Sequence, residues 1–158
     1  MVTADGDRFV EHRQRGMVRD VFVDTSTMDM LQGNVGIALV STLKPDEDPD
    51  DDASLQPLFV NSPLGICMVH NGRVTNIDQL QREVIGGTEG FIARHLFTQS
   101  DSEMLLNVLA DELHRARMRG FNTFGVDVNA QESKYAFLFE AGKFLMSEVR
   151  GAYSVVAL

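Results

Sequence analysis

The residues best suited to chemistry are His70-Asn71-Gly72 and, further along, Ser100-Asp101-Ser102-Glu103. A carboxamide at Asn71 and a backbone N–H at Gly72 can both point at one oxygen. Two converging donors are what a developing oxyanion needs. Each part also has a plainer reading. Asn-Gly is the commonest tight hairpin corner, because both residues tolerate positive φ. Asp101 suits the first turn of a helix, where the dipole favours a carboxylate. His70 alone reads as a packed or solvated residue rather than a catalyst. Cys67 lies in the apolar run Gly65-Ile66-Cys67-Met68-Val69 and reads as a small buried hydrophobe. On a strand Cys67 and His70 face opposite sides, so they make a poor nucleophile and base pair.

The elements that must position these residues follow from periodicity. Gly65 to His70 reads as a strand, Asn71-Gly72 as its turn, and Val74 to Ile77 as a second run. Asn76 reads as the cap of a helix through Leu80 and Val84, ended by Gly86-Gly87. Ser100 to Met118 is the strongest helix. Ser100 and Glu103 form a capping box, Leu105, Leu109 and Leu113 recur at i, i+4 and i+8, and Gly120 stops it. A polar stretch follows to Gln131. Ser133 to Val149 reads as another helix, with Phe137, Leu138, Ala141, Leu145 and Val149 on one side, and Ala152 to Leu158 as a strand. Upstream, Arg8 to Arg13 suits a strand, and Met17 to Phe22 a short helix or turn. Thr25 to Leu31 suits a helix capped by Thr25 or Ser26, and Val35 to Val40 a buried strand. Leu58-Phe59-Val60 is a strand before the turn Asn61-Ser62-Pro63. On periodicity the fold is α/β or α+β in one domain, with antiparallel hairpins.

Composition excludes several function classes. The chain has 158 residues, 44% hydrophobic, enough to bury a core. Its 14 basic and 23 acidic residues give a net charge of −9. That balance argues against a nucleic-acid partner, which needs clustered positive charge. Asp46 to Asp52 holds six acids in seven positions, so 44–54 reads as a solvated acidic loop. A calcium site is the sharper alternative there, but the spacing is not that of an EF-hand and the turn has no glycine. No apolar stretch approaches the roughly 20 residues of a membrane span, which argues against a membrane partner. With one cysteine, no intrachain disulfide is possible, and four scattered histidines show no zinc spacing. A cytoplasmic protein is the simplest expectation.

The constellation resembles the glutaminase domain of amidophosphoribosyltransferase, a class II glutamine amidotransferase of the N-terminal nucleophile type. The resemblance covers nearly the whole chain. It rests on Thr3-Ala4-Asp5-Gly6, Gly16-Met17-Val18-Arg19-Asp20-Val21-Phe22 and Gly33-Asn34-Val35-Gly36-Ile37-Ala38. It continues in Gln56-Pro57-Leu58-Phe59-Val60, Gly65 through Gly72, Ser100-Asp101-Ser102-Glu103 and Gly151-Ala152-Tyr153-Ser154. It implies an α+β fold, an incomplete four-layer αββα sandwich over 1–158. It also implies that glutamine is hydrolysed at its side-chain amide and the ammonia passed to a second domain. There it displaces pyrophosphate from phosphoribosyl pyrophosphate, the first step of purine synthesis. Asn71 and Gly72 match the oxyanion-hole residues. Asp101 matches the carboxylate that holds the substrate's α-ammonium, and His70 accompanies it in substrate binding. The family's magnesium belongs to the transferase domain, so no cofactor is expected here.

The chain also departs from that pattern. The family's nucleophile is an N-terminal cysteine, followed by a His-Arg-Gly motif, whereas Met1-Val2-Thr3 aligns inside the family domain. The family's Arg-Tyr pair, whose arginine holds the α-carboxylate, belongs at Gly36 to Leu43. No arginine stands between Arg19 and Arg73. The expected organisation has no phosphoribosyltransferase domain in 1–158. The resemblance therefore implies a fragment without useful glutaminase activity and of marginal solubility. The competing expectation is a non-catalytic module that binds glutamine or associates with an intact homologue.

Overall fold

The computed structural model describes residues 1–6, 8–42, 52–62, 64–85, 95–123 and 135–158. The acidic run at 44–51, Gly86-Gly87 and the polar stretch after 123 lie outside them. The elements run β1 (Val2–Asp5), β2 (Arg8–Glu11), α1 (Val18–Val21), α2 (Thr25–Met30), β3 (Val35–Ile37), a 3-10 turn (Asp52–Ser54) and β4 (Leu58–Val60). They continue with β5 (Ile66–Val74), α3 (Ile77–Ile85), α4 (Asp101–Thr123), α5 (Ala136–Glu148) and β6 (Gly151–Ala157). Two antiparallel three-stranded sheets result, in the orders β2-β1-β3 and β4-β5-β6. The class is α+β.

The second sheet carries the core. Met68, Val74 and Leu58 pack with Leu80 of α3, Met104, Leu105 and Val108 of α4, and Ala141 and Leu145 of α5. Each Val, Leu or Met among them contributes about 1.5–3 kcal/mol on burial. The leucine row expected on α4 is buried as its spacing implies. Leu106 and Ala110, off that row, are buried too. The helix is enclosed on several sides because α3, α5, β4 and β5 all pack against it. On the opposite side of the second sheet lies the first. Phe9 of β2 and Phe59 of β4 meet edge to face at 5.6 Å, and Val2 and Ala4 are buried.

Several local expectations are corrected. Asn71-Gly72 is not a hairpin corner: β5 runs straight through it, and both residues pair with β6 at Ser154 and Tyr153. The pairing shows why glycine stands there. Gly72 has φ +128°, and a Cβ would run into the Ala152 carbonyl of β6. The cap of α2 is Asp24, whose side chain accepts from Ser26 N at 3.0 Å. Strand β3 lies at a sheet edge, with Val35 exposed rather than buried. Asn76 stands at the cap of α3 as expected, its carbonyl accepting from Gln79 N at 3.1 Å and Leu80 N at 3.2 Å, but its side chain works elsewhere. Its Nδ2 donates to Glu148 O at 2.8 Å and its Oδ1 accepts from Arg150 N at 2.9 Å, tying the end of α5 to the start of β6. Gly120 does not stop α4, which continues to Thr123.

Candidate functional site

Strand β5 places its backbone groups by simple alternation. Cys67 exchanges both backbone hydrogen bonds with Leu158, at 2.8 Å each, so odd-numbered residues bond toward β6. Even-numbered residues therefore present N–H and C=O to the β4 side. There β4 pairs only from Val60↔Ile66 to Leu58↔Met68. Beyond Met68 the same row of groups meets side chains instead. At His70, Gln56 Oε1 accepts from the backbone N–H at 2.6 Å and Gln56 Nε2 donates to the carbonyl at 3.0 Å. At Val74, the backbone N–H donates to Asp101 Oδ2 at 3.1 Å. Gly72 lies between them. By alternation its N–H faces the same edge, where β4 has already ended.

The helix end beside this edge is built with equal care. Ser100 Oγ accepts from Glu103 N at 3.1 Å, which is half of the expected capping box. The Glu103 carboxylate reaches further back than that box requires. It accepts from Phe97 N at 2.8 Å, Thr98 N at 2.6 Å and Thr98 Oγ1 at 2.7 Å. This fixes the entry of the chain into α4 and so fixes Asp101 and Ser102. Asp101 Oδ1 lies 3.8 Å from His70 Nδ1, so one carboxylate spans the stretch from His70 to Val74.

Of the residues expected at a site, the fold brings together Asn71, Gly72 and Asp101, with Asn71 exposed and Gly72 partly so. His70 is placed differently. Its side chain is fully enclosed, with Nδ1 hydrogen-bonded to Ser102 Oγ at 2.8 Å. Gln56 and Ser102 both stand inside motifs quoted above, but neither spacing nor residue type assigns them a role of their own. A glutamine ahead of a proline carries no periodic signal, and its importance lies in what β5 presents to it. Cys67 is 2% exposed, and burial pushes its thiol up to about 11. It is on the opposite face of β5 from His70, as strand alternation requires.

A cavity of about 640 Å³ adjoins this region, with Gln56 and Leu55 in its wall. Its other walls are 12–16 after β2, Phe22 and Met28 beside α1 and α2, and 38–42 after β3. Thus Ala38 to Thr42 line the cavity with aliphatic and hydroxyl side chains. The guanidinium groups at its rim are engaged: Arg13 Nη1 donates to Leu55 O at 3.0 Å, and Arg15 Nε pairs with Asp52 at 2.9 Å. Among the described residues, no group of three or more His, Cys, Asp or Glu could hold a metal ion. None of their helices is long and apolar enough to cross a membrane.

No family model matches the chain. Individual proteins do. An amidophosphoribosyltransferase of Pasteurella multocida is 35% identical over 159 aligned residues, covering 100% of this chain and 28% of that protein. The amidophosphoribosyltransferase of Escherichia coli is 33% identical with the same coverage. That of Pseudomonas aeruginosa is 42% identical over 113 residues, 72% of this chain and 21% of that protein. The chain thus spans between 21% and 28% of the length of these relatives. Along its own whole length, this chain is homologous to the amidophosphoribosyltransferases.

Proposed function

We propose that residues 1–158 form part of a class II glutamine amidotransferase domain and supply its oxyanion-binding edge. In this reading the two stacked sheets and the helices outside the second belong to a four-layer sandwich of the N-terminal nucleophile type. The observation that carries the proposal is the edge of β5. Gly72 N–H lies between two neighbours whose backbone groups are taken up by side chains, beside the Asn71 carboxamide and the Asp101 carboxylate. Asn71 Nδ2 and Gly72 N–H would share the oxygen of a glutamine side-chain amide as it gains charge. Asp101 would meet the α-ammonium. His70 supports this arrangement through Ser102 rather than by touching the ligand.

The same reading assigns binding, and not turnover, to these residues alone. Class II chemistry uses a cysteine whose thiolate attacks the amide carbon. The only cysteine in the sequence is Cys67, which is buried with its thiol held in the neutral form. Residues 1–158 therefore supply the donors of this reading and not its thiolate. Phosphoribosyl transfer, named for the relatives, is likewise not assigned to residues 1–158. The test is L-glutamine added to the ¹⁵N-labelled chain, with ammonia assayed in parallel. Shifts at Gly72 and Asp101, lost in Asn71→Ala and in Asp101→Asn, together with no ammonia, are expected. Ammonia release abolished by Asn71→Ala would overturn the assignment of binding alone. No response at Gly72 would overturn the glutamine site.

A further inference from the structure

Gln56 belongs to no strand, yet it completes the pairing of β5. The register Leu58↔Met68 puts position 56 opposite His70. The Gln56 carboxamide makes both bonds that a backbone residue opposite His70 would make, accepting from the N–H at 2.6 Å and donating to the carbonyl at 3.0 Å. Its Nε2 also donates to Ser102 Oγ at 3.0 Å, and Ser102 in turn holds the His70 ring at 2.8 Å. One side chain therefore grips the backbone of β5 and the first turn of α4 together. The difference from a real strand residue lies one step further on. A continuing strand would next pair with Gly72 and occupy its N–H. A side chain stops the ladder there.

From this geometry we infer that Gln56 is a positioning residue for the Asn71-Gly72 edge. It ends the β4 ladder one step short of Gly72 and fixes that edge against the helix that carries Asp101. The ligand that Gly72 receives rests on the glutamine reading above. The positioning itself does not.

The experiment compares the full 158-residue chain with Gln56→Leu and Gln56→Glu, by amide hydrogen exchange and ¹⁵N chemical shifts, each with and without L-glutamine. Gln56→Leu should raise exchange at His70 about fivefold to tenfold, the size of one lost backbone hydrogen bond. It should shift Asn71 and Gly72 while Leu105 and Ala110 in α4 keep wild-type protection. The response of Gly72 to glutamine should weaken by about the same factor. Gln56→Glu keeps an acceptor for His70 N–H and should restore its protection, without the donor to the His70 carbonyl. Unchanged signals at 70–73 in Gln56→Leu, or exchange raised equally throughout α4 and β6, would overturn the positioning role. If wild type shows no glutamine response, the glutamine reading falls, and exchange at 70–73 still decides the role of Gln56. If Gln56→Leu does not fold, Gln56→Glu is compared with Ser102→Ala. The latter leaves the backbone grip intact and should keep His70 protected, and loss of that protection would count against the inference.

Discussion

Cys67 shows how far burial can retire a reactive group. Its thiol is pushed from 9.0 up to about 11, chiefly by desolvation, with Glu11 adding to the shift. The folded chain should therefore react slowly with iodoacetamide at pH 8.5, and the urea-unfolded chain many times faster, as followed by mass spectrometry. The linkage has a definite sign. The pKa is raised on folding, so the stabilisation is fully present below about pH 9. It declines as pH rises toward 11, because the unfolded thiol ionises first. The denaturant midpoint should fall over that window, and Cys67→Ser should flatten the fall. At this scale the sequence was legible in part. Cys67 as a buried hydrophobe and its orientation away from His70 follow from an apolar run with strand alternation. The contacts of Gln56 and Ser102 around His70 do not, because they arise where segments distant in sequence meet.

Among the elements, α4 is the one whose placement decides the site. Its N-terminus is held by Glu103, which satisfies two backbone N–H groups and the Thr98 hydroxyl. Glu103→Ala should lower stability by about 1–3 kcal/mol in urea denaturation, since buried donors lose a charged acceptor. Thr98→Val, which removes only the hydroxyl contribution, should cost less. The existence and type of the principal helices and strands were readable from spacing and caps. Boundaries and roles were less so. Asn-Gly reads as a corner wherever runs flank it, but here β6 pairs across both residues and holds them in a strand. Gly120 reads as a stop, but the helix passes it. Asn76 reads as a cap, while its carboxamide joins α5 to β6. In each case a tertiary partner decided between local options that the sequence leaves close in energy.

Across the whole molecule, stability is unequally shared. The main buried cluster consists of the second sheet and α3, α4 and α5. The first sheet contributes chiefly Val2, Thr3 and Ala4 to the buried set, and its outer strands are largely exposed. Hydrogen exchange should therefore separate the two sheets. Amides of β1, β2 and β3 should exchange through local opening well before those of β5 and α4, which should track global unfolding. Identical protection in both sheets would show a single cooperative unit instead. The short β4 also has a bearing on association. A sheet edge with a bare row of backbone groups invites pairing with another chain. Gln56 and Asp101 occupy that row on either side of Gly72, leaving an opening the width of one residue. Such a gap is too narrow for a second strand, so Gln56 and Asp101 also guard the protein against edge-to-edge aggregation.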